Sequence, residues 1–280
     1  MRRPLTEIAV HAVLAAAVIF ALYPVLWVVA LAFSPGVTPE ARALPIPDGF
    51  SLEHFEAVLG RTTEDGRWVF GAQLWSSTLV SIATALVAVA IATPAAYGLS
   101  RFDFVGKRAS LGAMLATQMF PGVAASVPLY LLLDALDLLD TRGGLVLVYA
   151  TTAVPFAIFQ LRGAFDAIPK ELEEAAMVDG ATRAGAFLRV VLPAARPAIA
   201  VTALFAFIQA WNEFVLAATF LTREELYTLP ILLQSYASEH DANLGHFAAG
   251  AILVSVPVMA LFYFLERELV TGLTEGGVKG

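Results

Sequence analysis

Arg162 to Arg196 reads RGAFDAIPKELEEAAMVDGATRAGAFLRVVLPAAR, and no other part of the chain gathers so much charge. The sequence on either side is apolar. Outward from this stretch the uncharged runs are 144–161 and 197–222, then 109–133 and 247–265, then 74–99 and 8–33, with Glu213 the one charge inside them. A hydrocarbon core about 30 Å thick takes about 20 residues at a rise of about 1.5 Å each, so every run is of spanning length. The 280 residues are 59% hydrophobic and 15% charged, with a mean hydropathy of +0.75. That leaves too little charge to cover a soluble domain. The expected fold is an all-α integral membrane protein of six transmembrane helices, with 162–196 as the polar loop between the fourth and fifth.

Lys and Arg are retained on the cytoplasmic side of a membrane, which orients the spans. If the N-terminus is inside, twelve of the seventeen basic residues fall in the inner segments, five of them in the 162–196 loop. The outer segments then hold Arg42, Arg61, Arg67, Arg142 and Arg223. Both termini and the charged loop are therefore expected in the cytoplasm. Arg2 and Arg3 precede an apolar run, Ile8–Phe33, that exceeds the short core of a cleavable signal peptide, so it reads as a retained first span. Three regions follow: 1–73 as the first span and an outer loop, 74–266 as the core that carries the charged loop, and 267–280 as a cytoplasmic tail.

Several chemistries are excluded or left without support. A net charge of −7 offers no basic stripe for nucleic acid. The absence of Cys removes disulfides and thiolate ligands, and His11, His54, His240 and His246 are not spaced as metal ligands. Gly106-Lys107-Arg108 lacks the earlier glycine and the hydroxyl of a phosphate-binding loop, so the chain has no nucleotide site of its own, and no nucleophile elbow is present.

Within the spans, Ser81, Ala85, Ala92 and Ala96 fall on one helix face, which permits close helix approach. Pro121, Pro128, Pro155 and Pro257 are expected to bend their helices. Gln209, Asn212 and Glu213, at i, i+3 and i+4, should share a face of a continuous fifth helix, with Glu213 about 24 Å from its inner end. Such a cluster lines a solute path, makes hydrogen bonds between helices, or reaches the outer interface. The outer segment 34–73 reads as loop with short helices, Ser51 capping one of them, and 222–246 as an outer loop interrupted by Pro230.

Inside the charged loop, Pro169 suits a first helical turn, with Glu171, Glu173 and Glu174 near the positive end of the dipole. Ile168, Leu172 and Ala175 or Ala176 form an apolar stripe, and Gly180 can take the left-handed conformation that ends a helix. Thr182 can cap a second helix, through Phe187 and Val190 as far as Pro193. The result is a helix-turn-helix projection with a small-residue face.

Glu174-Ala175-Ala176, Asp179-Gly180, then Val190 and Leu192-Pro193 resemble the EAA loop of membrane permease subunits of bacterial ABC importers, with Val190 where Ile is usual. Gln118-Met119-Phe120-Pro121, Trp211-Asn212-Glu213-Phe214 and the C-terminal Gly272–Gly280 are similar to stretches of the maltose-type sugar permeases in this group. The resemblance implies a subunit of the bacterial inner membrane that works with a second permease, two copies of an ABC ATPase and an external sugar-binding protein. ATP and magnesium would be held by the ATPase, and this chain would bind no cofactor or metal and catalyse nothing. Glu174, Ala175, Ala176, Asp179, Gly180, Leu192 and Pro193 would couple to the ATPase, Glu174 as polar anchor. Gly276, Gly277, Lys279 and Gly280 would reach it from the tail, and Gln118, Gln209, Asn212 and Glu213 would be candidates for the path. The implied cargo is an α-glucoside such as maltose, maltodextrin or trehalose. The alternatives are another sugar or polyol such as glycerol phosphate, a secondary transporter, or a scaffold that moves no solute.

Overall fold

In a computed structural model, residues 4–36, 44–47, 49–120, 122–237 and 243–276 are described, with side chains between 7 and 265. Pro121 and the tail residues Gly277, Lys279 and Gly280 lie outside them. The described residues form helices, with one isolated antiparallel bridge, Thr62 to Trp68. The chain divides into two units, 1–71 with 231–257 and 72–230 with 258–280.

In the first unit, α1 (Pro4–Phe33) carries Pro24 in its interior. Its last turns meet α2 (Glu53–Gly60) and the first half of α13 (Leu244–Gly276). Ala32, Ala248 and Ala249 are buried there, packed by Val28, Leu31, Phe55 and Ile252. Small residues on both helices allow this approach, as lost side-chain area is replaced by close backbone contact. Ser51 does not cap α2 from the N-cap position, which Leu52 occupies, but its hydroxyl still accepts from the Glu53 N–H at 3.2 Å. His54 is 2% exposed and bonds the Ser34 carbonyl at 2.8 Å. Gly245 is glycine for a steric reason: a Cβ there would fall on the His54 ring. His246, expected in a loop, lies inside the first turns of α13.

The second unit contains α3 (Val69–Arg101) almost entirely, then α4 (Lys107–Met119), α5 (Gly122–Ala135) and α6 (Arg142–Ala167). The third span is thus two helices with axes 101° apart, not one run over 109–133. The small-residue face of α3 is buried as expected, at Ser81, Ala85, Ala92 and Ala96, and Ala88 joins it. Pro94, within α3, is a further interior proline.

The charged loop folds as α7 (Lys170–Val178), α8 (Arg183–Ala186), a π turn over Phe187–Val191, and α9 (Leu192–Ala194). α10 (Arg196–Trp211) then departs at 72° to the α8–α9 segment. Pro193 does not end the second helix. The wide turn before it, with the Leu192 N–H reaching the Phe187 carbonyl, carries the helix past the proline ring, and the break falls at Ala195.

The fifth span is also not continuous. α10 stops at Trp211, and α11 (Val215–Phe220) begins after a gap. A 3₁₀ turn over Glu224–Leu226 and α12 (Leu229–Tyr236) follow, with Pro230 in the first turn of α12 rather than interrupting a segment.

Candidate functional site

The loop between α6 and α10 is held by its inward side and left bare on its outward side. α6 ends at Ala167, and Pro169, the N-cap of α7, sits one residue earlier than the first-turn position its chemistry suggested. At the other end α7 closes in a Schellman pair of bonds: Gly180 N–H to the Met177 carbonyl at 3.1 Å, and Ala181 N–H to Ala176 at 3.0 Å. That closure requires the φ of +94° at Gly180. Asp179 is the C-cap and Thr182 then caps α8, accepting from the Gly185 N–H at 3.1 Å.

Of the two adjacent acids, Glu173 and not Glu174 points inward. Glu173 is 6% exposed and receives the Arg101 guanidinium on one oxygen and the Tyr97 hydroxyl on the other, the latter at 2.8 Å. Arg101 also donates to the Ile168 carbonyl at 2.9 Å and to the Ser100 hydroxyl at 3.1 Å, and Ser100 donates to Asp166 at 2.5 Å. The Tyr97 ring lies 4.4 Å from that of Phe187 in the π turn, and Arg183 sits 5.1 Å above the Phe102 ring. Beneath them Ala92, Ala96, Leu99, Leu161, Phe165, Val191 and Ala195 form one buried cluster. The small residues of α3 let α6 and the loop approach it closely.

The other face of α7 is open. Glu174, Ala175, Asp179 and Gly180 are exposed, Ala176 is half-buried, and so are Leu192 and Pro193. Leu172 is 49% and Val178 88% exposed. Leu172, Ala175 and Val178 succeed one another at three-residue intervals, so they make one apolar stripe. The stripe expected through Ile168 is split: Ile168 packs inward on the core cluster and Leu172 faces out.

The polar residues of the spans separate into two groups. Gln118 of α4 donates to the Thr152 carbonyl at 3.3 Å, and Gln209 of α10 reaches the Thr152 hydroxyl at 3.5 Å, so two side chains from distant segments converge on one residue of α6. Both glutamines and Asn212 are exposed. Glu213 belongs elsewhere. It lies in the gap between α10 and α11, where its carboxylate accepts from the backbone N–H groups of Leu216 and Ala217 at 3.0 and 3.1 Å and from the Tyr149 hydroxyl at 2.7 Å. The expected shared face of Gln209, Asn212 and Glu213 is therefore absent, because Asn212 is the C-cap of α10 and the helical register ends there. In an apolar medium the freed N–H groups of a broken helix must find acceptors, and Glu213 supplies them.

A third polar assembly ties the segment before α6 to the one after α11. Arg223 pairs with Asp140 at 2.6 Å, and the Thr222 and Arg223 N–H groups donate to the same carboxylate at 2.9 and 3.2 Å. Burial alone would raise the Asp140 carboxyl, but these three donors outweigh it and hold the group below the usual carboxylate range. Arg142 bonds Ser76 at 3.0 Å and the Glu225 carbonyl at 3.2 Å.

Residues 86–271 match the model of the binding-protein-dependent transport system inner membrane component family. The chain belongs to that family. It is 36% identical to the trehalose transport system permease protein SugB of Mycobacterium tuberculosis, over 93% of each chain. It is 38% identical to the maltose/maltodextrin transport system permease protein MalG of Vibrio parahaemolyticus, over 98% of this chain and 95% of that one. A chain of a bacterial ABC transporter involved in import of the acidic polysaccharide alginate shares the fold, with a TM-score of 0.76 over 94% and 96% of the two chains at 23% identity. The chain is thus an all-α, multi-pass inner membrane component of an ABC importer.

Sequence reasoning singled out exposed and half-buried residues of this component's loop and gave no anchoring role to Arg101, Tyr97 or Glu173, which hold it. Arg101 follows the uncharged run 74–99 together with Lys107 and Arg108, and nothing in the composition sets it apart from them. Its position at the end of a span, four residues after a tyrosine on the same face, was the available signal. Thr152 carried none.

Proposed function

We propose that this chain is the permease subunit of an ATP-driven importer of α-glucoside sugars such as maltose, maltodextrin or trehalose. One observation carries the coupling part of the reading: α7 is fixed to the protein through Glu173 while Leu172, Ala175 and Val178 stand bare beside Glu174 and Asp179. An apolar stripe on a polar loop needs a partner to cover it. In this reading the partner is a cytoplasmic ABC ATPase, present twice and holding ATP and magnesium, and the loop and both termini are on its side of the membrane. The chain makes half of a path whose other half is a second permease, and an external binding protein delivers the sugar. The tail residues Gly276, Gly277, Lys279 and Gly280 would add a second contact to the ATPase.

The substrate class rests on the relatives' names and on the chemistry of the open polar face. Gln118, Gln209 and Asn212 present neutral amides, whose donors and acceptors suit the hydroxyls of an uncharged sugar and supply no cation to balance a phosphate. Glu213 is occupied as a cap and is assigned no role toward the solute. The deciding experiment is isolation of the intact complex from detergent and measurement of its ATPase activity with the binding protein and a panel of sugars. Stimulation by maltose, maltodextrin or trehalose is the expected result. Stimulation only by a β-linked disaccharide or a polyol phosphate would remove the substrate assignment, and uptake driven by a proton gradient without ATP would remove the importer reading.

A further inference from the structure

The coupling loop is covalently joined to α6 and α10, but its strongest polar attachment is to α3. Arg101 is the last residue of α3 and Glu173 lies in the first turn of α7; their side chains are 6% and 7% exposed. Two charges taken out of water recover their desolvation only when geometry and the remaining hydrogen bonds are well satisfied. Here they are. One Glu173 oxygen takes Arg101 and the other takes Tyr97, and Arg101 spends its other N–H groups on Ser100 and on the Ile168 carbonyl at the end of α6. A guanidinium at a helix C-terminus also complements the negative end of that dipole. Tyr97, one turn before Arg101, both donates to Glu173 and packs on Phe187, so α3 grips the first arm of the loop by charge and the second by ring contact.

We propose that Arg101, Tyr97 and Glu173 form a transmission joint through which displacement of α7 is delivered to α3. The inference rests on the importer reading. An apolar pair of similar volume could fill this site and pack as well, but it could slide. The two-oxygen, two-donor arrangement has direction, so α7 cannot tilt without pulling the end of α3 with it. Arg101, Tyr97 and Glu173 are positioning residues, not contacts of solute or nucleotide.

The test uses the complete complex in proteoliposomes, where sugar taken up and ATP hydrolysed are measured together. Arg101→Met/Glu173→Met removes both charges and keeps an apolar filling. The complex is expected to assemble in normal yield and hydrolyse ATP, while sugar imported per ATP falls at least tenfold. Tyr97→Phe keeps the ring against Phe187 and loses only the hydroxyl, and should lower the same ratio by a few-fold. A double variant that assembles and imports at the wild-type ratio overturns the proposal, because the pair would then only fill space. If the double variant does not assemble, Tyr97→Phe decides: an unchanged ratio overturns the joint. A wild-type complex without sugar-stimulated hydrolysis sinks the importer reading, and the joint with it, before any variant is compared.

Discussion

Arg101 with Glu173 and Arg223 with Asp140 join distant parts of the chain by the same chemistry, at opposite ends of α6 and in opposite surroundings. The first pair is buried at 6% and 7% exposure; in the second the arginine is 55% and the aspartate 23% exposed. The buried pair is satisfied by further donors and acceptors in the protein, whereas the exposed pair competes with water and salt. The contrast teaches that an ion pair's count says little. Its burial decides whether breaking it strands a charge or merely returns one to solvent.

The largest expected effect comes from breaking the buried pair on one side only. Glu173→Leu leaves Arg101, whose side chain is 6% exposed, without its counter-charge, at a cost of about 3–5 kcal/mol. The complex should melt well below wild type in detergent, and an unchanged melting temperature would mean that Arg101 finds solvent. Next is Glu213→Ala, which frees two backbone N–H groups and the Tyr149 hydroxyl. A loss of about 2 kcal/mol is expected from those bonds. Reduced uptake at wild-type thermal stability would instead place Glu213 in the path.

Gly180→Ala isolates the loop's outer geometry from its inner anchor. A Cβ at Gly180 meets no atom within 4 Å, so the expected penalty of about 1–2 kcal/mol comes only from the left-handed backbone. α7 should stay attached through Glu173 while its outward face is misdirected, so transport per ATP falls in intact complex. Normal uptake by this variant would sink the coupling assignment.

The smallest effect belongs to the exposed pair. Arg223→Ala should cost at most about 1 kcal/mol, a difference that shrinks further as salt is raised. Because the Asp140 carboxyl is held below its ordinary range, its contribution is full above the unfolded-state pKa and is lost as pH falls through the folded value. Asp140→Asn tolerates the φ of +55° at this position, so it removes the charge with little backbone change. The melting temperatures of wild type and Asp140→Asn should converge on acidification. A gap that widened toward low pH would reverse the sign.

Much of the fold was legible because hydropathy and small-residue spacing act locally. The uncharged runs became helices, Ser81, Ala85, Ala92 and Ala96 became a packing face, and Gly180 and Thr182 ended and began helices as their chemistry requires. The candidate site was half legible. Adjacent glutamates at 173 and 174 are equivalent in composition, and which one turns inward is set by Arg101, which follows no sequence period relating it to them. The helix break at 212–214 was hidden for the same reason: the run 197–222 is apolar enough to span whether or not its backbone is continuous.

The sequence by itself determined that this chain is apolar and helical enough to lie in a membrane and that a glycine-hinged polar loop interrupts its apolar runs, because partition into lipid and backbone conformation depend on residues within a few positions of each other. Only the tertiary structure decided which glutamate anchors that loop, that Glu213 caps a broken helix, and that Gln118 and Gln209 meet at Thr152. Those outcomes depend on which donors and acceptors arrive from far along the chain, since a buried polar group takes the partner the fold brings to it.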